Sequence, residues 1–243
     1  MFSECHKMSE AIIITPVKDS KETTKLTIEA VTNADGNFEY YVFNDFSKPD
    51  VKSFLEESSK KSGFNLINLE DITANPSPNY KLVLEMAQKT ALSQNKPLII
   101  IESDVVIQKN TINELIKLAA LKNDAGLIGA ITINESGSYN FPYTFEKKKS
   151  SEVVDTSHSL SFCCTLITLK FLQKFDFSTL SHKKDWYDVF ISRQSKKAGF
   201  SNYLAKGIEV LHLPHSSRPW KKLKYTNPIL YYWKKIVNKR DRI

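Results

Sequence analysis

Two carboxylates, Glu102 and Asp104, stand two residues apart directly after the run Leu98-Ile99-Ile100-Ile101. Carboxylate oxygens are what hard cations bind. Mg²⁺ in particular uses one or two of them and completes its shell with water and substrate phosphates. One reading of Glu102-Ser103-Asp104 is therefore a metal–diphosphate site. The other is a solvated acidic turn before the next helix. Four unbroken aliphatic residues describe a strand buried on both faces, as in a parallel sheet covered by helices. Ligands of such sheets bind beyond the carboxyl ends of the strands, and the acidic pair stands there.

Other groups could do chemistry, and each has a plainer alternative. Asp45 follows an apolar strand in Asn44-Asp45-Phe46-Ser47 and could equally close an Asx-turn. Asp188, with Asp185 nearby, opens a helical segment, where a carboxylate cap stabilises by roughly 1 kcal/mol. His212 and His215 flank Leu213-Pro214. An extended chain separates them, and a turn at Pro214 would bring them together. Trp186 and Tyr187 could stack on a sugar or pack in the core. Cys163 and Cys164 are adjacent, so in a strand they point to opposite faces and are poorly placed to bridge. No metal-ligand spacing links the cysteines, and the pair reads as small buried hydrophobes.

The elements that must position these groups follow from periodicity. Residues 11–15 form an apolar first strand closed by Pro16. Asp19 or Ser20 caps a helix to about residue 33. Residues 40–43 form a second strand. Pro49 and Asp50 open a helix that Gly63 ends near residue 62. Residues 64–69 alternate as a third strand, and a helix over 80–93 leads into the central strand at 98–101. A helix over 110–122 and a strand over 127–133 follow. This β-α alternation predicts a mostly parallel sheet flanked by helices, an α/β fold. The second half is less regular. Residues 136–159 are polar and read as a mobile loop. Residues 162–169 are β-rich, 185–198 helical and 203–213 extended.

The chain has 243 residues, 41% hydrophobic and 25% charged, which suits an ordinary globular protein. The polar first ten residues lack a signal-peptide apolar segment, and no run approaches the ~20 residues that span a membrane. A cytoplasmic location is the expectation. The net charge of +7 is unevenly placed: residues 218–243 hold nine Lys/Arg and one Asp, so the rest of the chain carries −1. In that tail, stretches such as Tyr231-Tyr232-Trp233-Lys234-Lys235 interleave aromatics with cations. They suit peripheral attachment to an anionic membrane surface, or a helix packed on the body with a solvated basic face. Nucleic acid is not an expected partner, because no basic face is legible in the body.

In order, four segments resemble the family 2 glycosyltransferases of the GT-A fold. Thr15-Pro16-Val17-Lys18-Asp19 is similar to that family's first strand end. Asn44-Asp45-Phe46-Ser47 resembles its Asp-Asp-Gly-Ser turn, Glu102-Ser103-Asp104 its Asp-x-Asp, and residues 188–199 the helix that opens with Glu-Asp. Glu102, Asn44, Phe46 and Tyr187 depart from those patterns, while one carboxylate is kept at each key position. The resemblance implies a Rossmann-like, mostly parallel or mixed sheet in a single GT-A domain over 11–215, after an extension at 1–10 and before a tail at 216–243. It implies transfer of a sugar from a UDP-, GDP- or dTDP-linked donor to a hydroxyl of a glycan or lipid-linked glycan, with Mg²⁺ or Mn²⁺ as cofactor. Thr15, Pro16, Asp45, Glu102 and Ser103 would bind the nucleotide sugar. Asp104 and His212 would hold the metal, and Asp188 would be the base of an inverting displacement. A nucleotidyltransferase is the nearest enzyme alternative, though no Gly-rich phosphate loop follows the first strand. The non-enzyme alternative is a degenerate transferase fold that binds a glycan or protein partner. No Gly-x-Ser-x-Gly elbow points to a hydrolase.

Overall fold

The computed structural model describes residues 10–146, 149–182, 186–214, 227, 230 and 233. Asp185, His215 and nearly all of the basic tail lie outside the described residues. In chain order the elements are β1 (Ala11–Val17), α1 (Lys21–Thr32), β2 (Phe38–Asn44), α2 (Pro49–Ser62), β3 (Asn65–Asn68), α3 (Tyr80–Ser93), β4 (Leu98–Ile101), β5 (Val105–Val106) and α4 (Thr111–Leu121). The second half adds β6 (Ala125–Ile133), β7 (Val153–Asp155), β8 (Cys164–Ile167), α5 (Leu169–Lys174), α6 (Tyr187–Lys197) and β9 (Ser201–His212).

These strands form one mixed sheet in the order β3-β2-β1-β4-β8-β6-β9-β5, with β7 on β9. The β3-β2-β1-β4 half is parallel throughout. β8 runs antiparallel between β4 and β6, and β9 returns parallel to β6. The chain builds outward from β1 through β2 to β3, then crosses back to place β4 on the other side of β1. That reversal is a topological switch point, and it opens a crevice beyond the carboxyl ends of β1 and β4.

Side-chain alternation explains why the central strands are apolar without interruption. Ile13 and Ile99 join one core cluster with Ile28, Leu55 and Leu115 of α1, α2 and α4. Ile12, Ile14, Leu98 and Ile100 join the other with Leu84, Phe171 and Ile191 of α3, α5 and α6. Both faces of the sheet are therefore covered, and each fully buried Ile or Leu contributes roughly 1.5–3 kcal/mol.

Local signals place most boundaries where expected. Pro49 opens α2, and Gly63 ends it in the left-handed region at φ 71. Pro16 lies inside β1 rather than beyond it; the ladder to β4 has already stopped at Ile14, so its missing N–H interrupts nothing on that side. The cap of α1 differs from expectation. Asp19 and Ser20 both sit at φ 56, and neither side chain caps the helix. Instead the Lys48 N–H donates to Asp19 Oδ1 at 2.9 Å and the Asp19 N–H donates to Ser47 Oγ at 3.0 Å. The two turns that follow β1 and β2 are thereby tied together.

The described residues of the 136–159 segment, 136–146 and 149–159, are tethered to the body, where the sequence leads one to expect a mobile loop. They supply β7, and they bury Tyr143, whose hydroxyl accepts the Ser161 N–H at 3.1 Å. Polarity in the sequence masked these tethers. Among the described residues, no helix is long and apolar enough to cross a membrane.

Candidate functional site

The acidic turn, the β8 approach and the end of β9 meet at the carboxyl edge of the sheet. A tight turn carries the chain from β4 to β5, with the Val105 N–H donating to the Glu102 carbonyl at 3.1 Å. β5 then pairs antiparallel with β9, setting Val105 opposite His212. The Leu213 N–H closes on the Asp104 carbonyl at 2.8 Å. On the other side, β4 pairs with β8, and the Glu102 N–H donates to the Cys163 carbonyl at 3.0 Å. Three segments far apart in sequence are thus placed by backbone pairing.

Their side chains converge. Glu102, Cys163 and His212 each offer a ligand atom, and these atoms lie within 4.8 Å of one another. His212 Nε2 is 3.3 Å from Asp104 Oδ2, whose side chain is only 2% exposed. His212 Nδ1 lies 2.7 Å from the Phe141 carbonyl. A carbonyl only accepts, so Nδ1 carries the proton, and in the neutral ring Nε2 carries the lone pair. That lone pair faces a carboxylate, an arrangement that calls for a proton or a cation between them. The imidazole titrates accordingly. Burial lowers its pKa, but the Asp104 hydrogen bond, the charges of Asp104 and Glu102 and the Phe141 carbonyl outweigh burial and hold it above its ordinary value.

Glu102, Cys163 and His212 offer a donor set that fits a divalent cation, a carboxylate, a thiol and an imidazole fixed by a backbone carbonyl, with Asp104 against the imidazole. Asn140 borders the group, donating from Nδ2 to the His212 carbonyl at 3.0 Å, while its Oδ1 is buried without a hydrogen-bond partner.

Tyr80, at the start of α3, is near enough to this group to feel its charge, and no sequence signal marks it. Its hydroxyl is buried and makes no hydrogen bond. Its ring meets Tyr187 edge-on at 6.1 Å. Burial, then the charges of Glu102, Asp188 and Cys163, hold the phenol well above its ordinary value, so at neutral pH it is always a donor. Asp188 lies in the first turn of α6, where its Oδ1 accepts the Val189 N–H at 2.8 Å.

Asp45 is nearly buried. Its carboxylate accepts Ser77 Oγ at 2.7 Å, the Asn79 N–H at 2.9 Å and Asn79 Nδ2 at 2.8 Å, so it shapes the loop that leads into α3. The Asx role falls to its neighbour, as the Ser47 N–H donates to Asn44 Oδ1. Phe46 sits at φ 55, the left-handed region that the glycine of an Asp-Asp-Gly-Ser turn adopts freely. Holding a phenylalanine there costs roughly 1–2 kcal/mol. Thr15 does not open onto the crevice. It is fully buried, and its Oγ1 accepts the Tyr40 hydroxyl at 2.9 Å. Pro16 and Ser103, both half-buried, line the edge at the ends of β1 and β4. Tyr187 is a core residue, its hydroxyl donating to the Ser181 carbonyl. Cys163, read from the sequence as a small hydrophobe, belongs to the site because strand pairing sets it beside Glu102.

A mixed sheet with helices on both faces and an acidic turn beyond its switch point is the GT-A glycosyltransferase fold, and solved structures bear this out. A mannosyltransferase from Pyrobaculum calidifontis in complex with GDP-Man and Mn²⁺ superposes with a TM-score of 0.66 at 10% identity, over 94% of this chain and 64% of that one. TarS residues 1–349 from S. aureus give 0.61 at 12% identity, over 84% and 60%. GalNAc-T7 with UDP, GalNAc and Mn²⁺ gives 0.63 at 11% identity, over 87% and 45%. The chain thus spans less than two thirds of each of these proteins. No curated protein matches it by sequence. The pattern of Glycosyl transferase family 2 matches residues 12–175, and the chain belongs to that family.

Proposed function

We propose that this protein transfers a sugar from a nucleoside-diphosphate sugar to an acceptor hydroxyl of a glycan or lipid-linked glycan, with inversion and with Mg²⁺ or Mn²⁺ assistance. The observation that carries the reading is the convergence of Glu102, Asp104, Cys163 and His212 beyond the β1/β4 switch point. Family membership and neighbours solved with nucleotide sugars and Mn²⁺ support it.

Asp104 and His212 would hold the cation, and Glu102 would lie near the ribose. A cation bound there supplies positive charge to the leaving diphosphate. Pro16 and Ser103 frame the crevice, and Asp45 fixes its nucleobase end through the loop at Ser77 and Asn79. Tyr80 donates its orphan hydrogen bond to an oxygen of the transferred sugar. Asp188 takes the acceptor proton, and a single displacement with this base on the far side of the sugar inverts the anomeric centre. The tail would seat the enzyme on an anionic membrane surface where lipid-linked acceptors lie. Equal liposome co-sedimentation of the full chain and a version ending at Ser217 would remove that last element.

The enclosure of Thr15 and the engagement of Asp45 favour a second reading, a family fold that binds a nucleotide sugar or glycan without turning it over. One experiment separates the two. Thermal stability is followed against UDP-, GDP- and dTDP-linked sugars with and without Mn²⁺, together with release of free nucleoside diphosphate. A metal-dependent shift with nucleotide release supports transfer. A shift without release under any acceptor supports binding alone, and no shift with any nucleotide removes the donor site.

A further inference from the structure

We infer that Cys163 is a thiolate ligand of the divalent cation, so that the centre is a carboxylate–imidazole–thiolate site rather than one built from oxygen donors alone. The inference rests on the metal-assisted reading above and goes beyond it by naming a ligand and the class of ion it selects.

Geometry carries the argument. Cys163 precedes β8 directly, and the pairing Ile101↔Cys164 brings it alongside Glu102. Its Sγ is 3.5 Å from Glu102 Oε2 and 3.3 Å from Ser161 Oγ, and it shares the 4.8 Å grouping with the His212 ring. Tetrahedral bonds of roughly 2.0–2.3 Å set donor atoms roughly 3.3–3.8 Å apart, so Cys163 and Glu102 already stand at that spacing and the His212 ring would close by about 1 Å. Glu102 is half-buried, while Cys163 and His212 are buried, which limits competition from water for the ion. The imidazole is already oriented, with Nδ1 on the Phe141 carbonyl and Nε2 3.3 Å from Asp104 Oδ2. Such a backbone-fixed tautomer is the usual outer support of a metal-bound histidine.

The chemistry balances simply. Binding of M²⁺ releases the thiol proton of Cys163 to solvent, and the thiolate takes its place in the coordination shell. A thiolate favours borderline-soft ions. The ordering expected is Zn²⁺ and Co²⁺ above Mn²⁺, with Mg²⁺ weakest.

Cobalt(II) is the probe, because a thiolate bound to it gives a near-ultraviolet charge-transfer band that carboxylate and imidazole do not. Full-length wild type is titrated with Co²⁺ and compared with Cys163→Ser and with the double variant Cys5→Ser/Cys164→Ser, which leaves Cys163 as the sole thiol. The wild type and the double variant are expected to show the band. Cys163→Ser is expected to lose it and to bind Co²⁺ at least tenfold more weakly. Should Cys163→Ser fail to fold, the double variant still decides, since any band it shows comes from Cys163. A band that persists in Cys163→Ser, a double variant without one, or no Co²⁺ binding by wild type overturns the assignment. Mn²⁺-dependent nucleotide-sugar binding is measured in parallel. Nucleotide binding without the band removes Cys163 and leaves the transferase reading standing. The band without nucleotide binding removes the transferase reading and leaves Cys163 a ligand.

Discussion

Replacing Tyr80 by Phe deletes one oxygen and leaves the ring, including its edge-on contact with Tyr187. That oxygen is buried and has no hydrogen-bond partner. A buried hydroxyl without a partner costs roughly 1–3 kcal/mol by the measure of mutational data. Tyr80→Phe is therefore expected to make the unliganded protein more stable, by about 1 kcal/mol. For a chain of this size that raises Tm by about 2–4 °C. Ligand binding should move the opposite way. A neutral hydrogen bond contributes about 0.5–1.5 kcal/mol, which is roughly a two- to tenfold loss of affinity for the nucleotide sugar in the presence of Mn²⁺. Urea unfolding followed by tryptophan fluorescence gives the first quantity, and titration calorimetry with the donor gives the second. A residue that serves only the core cannot give this opposed pair. If Tyr80→Phe lowers stability by 1 kcal/mol or more, the hydroxyl is partnered and its role as a ligand-facing donor is refuted.

Three further outcomes test other parts of the structure. Asp104→Asn keeps the shape beside His212 and removes the charge. A donor–metal pair at ~100 times its dissociation constant stabilises wild type by about 2.7 kcal/mol, and a hundredfold weaker site leaves about 0.4 kcal/mol, so the metal-dependent thermal shift should nearly vanish. Gln88→Leu strips the carbonyls of Leu172 and Phe175 and the N–H of Phe177 of the side chain that satisfies them. With roughly 1–3 kcal/mol for each orphaned buried group, partly relieved by relaxation, urea unfolding should show a loss of about 2–4 kcal/mol. Asp124 is held below its ordinary carboxylate value chiefly by the Tyr203 hydroxyl, with burial opposing. A lowered folded pKa means that the contribution is present above the unfolded value near pH 4 and is lost as pH falls through the folded one. The stability advantage of wild type over Asp124→Asn should accordingly be seen in urea at about pH 6 and shrink at about pH 3.

The parallel half of the fold was legible because its signals are local. Helices α2 and α3 begin and end where Pro49, Gly63 and the apolar spacing of residues 80–93 put them. Elements too short to show a period were not legible: β5 has two residues and α5 has six. β7 hides in a polar stretch, because it pairs at the edge of the sheet and needs no alternating apolar face.

The site divides the same way. Its acidic turn is a local feature, announced by the strand that precedes it, and the resemblance pointed to His212, which lies against Asp104. Cys163 and Tyr80 have no local signature, because nothing in Phe162-Cys163-Cys164 or Asn79-Tyr80-Lys81 distinguishes a site residue from a core one. Cys163 becomes a neighbour of Glu102 only through the β4–β8 register, and His212 reaches Asp104 only because β5 turns back onto β9. A slip of one residue in either register would turn the paired side chains to the opposite face and dissolve the group. The two-residue strand β5 therefore matters out of proportion to its length. It converts an acidic turn, which alone would be a solvated feature, into one with a buried imidazole held against Asp104.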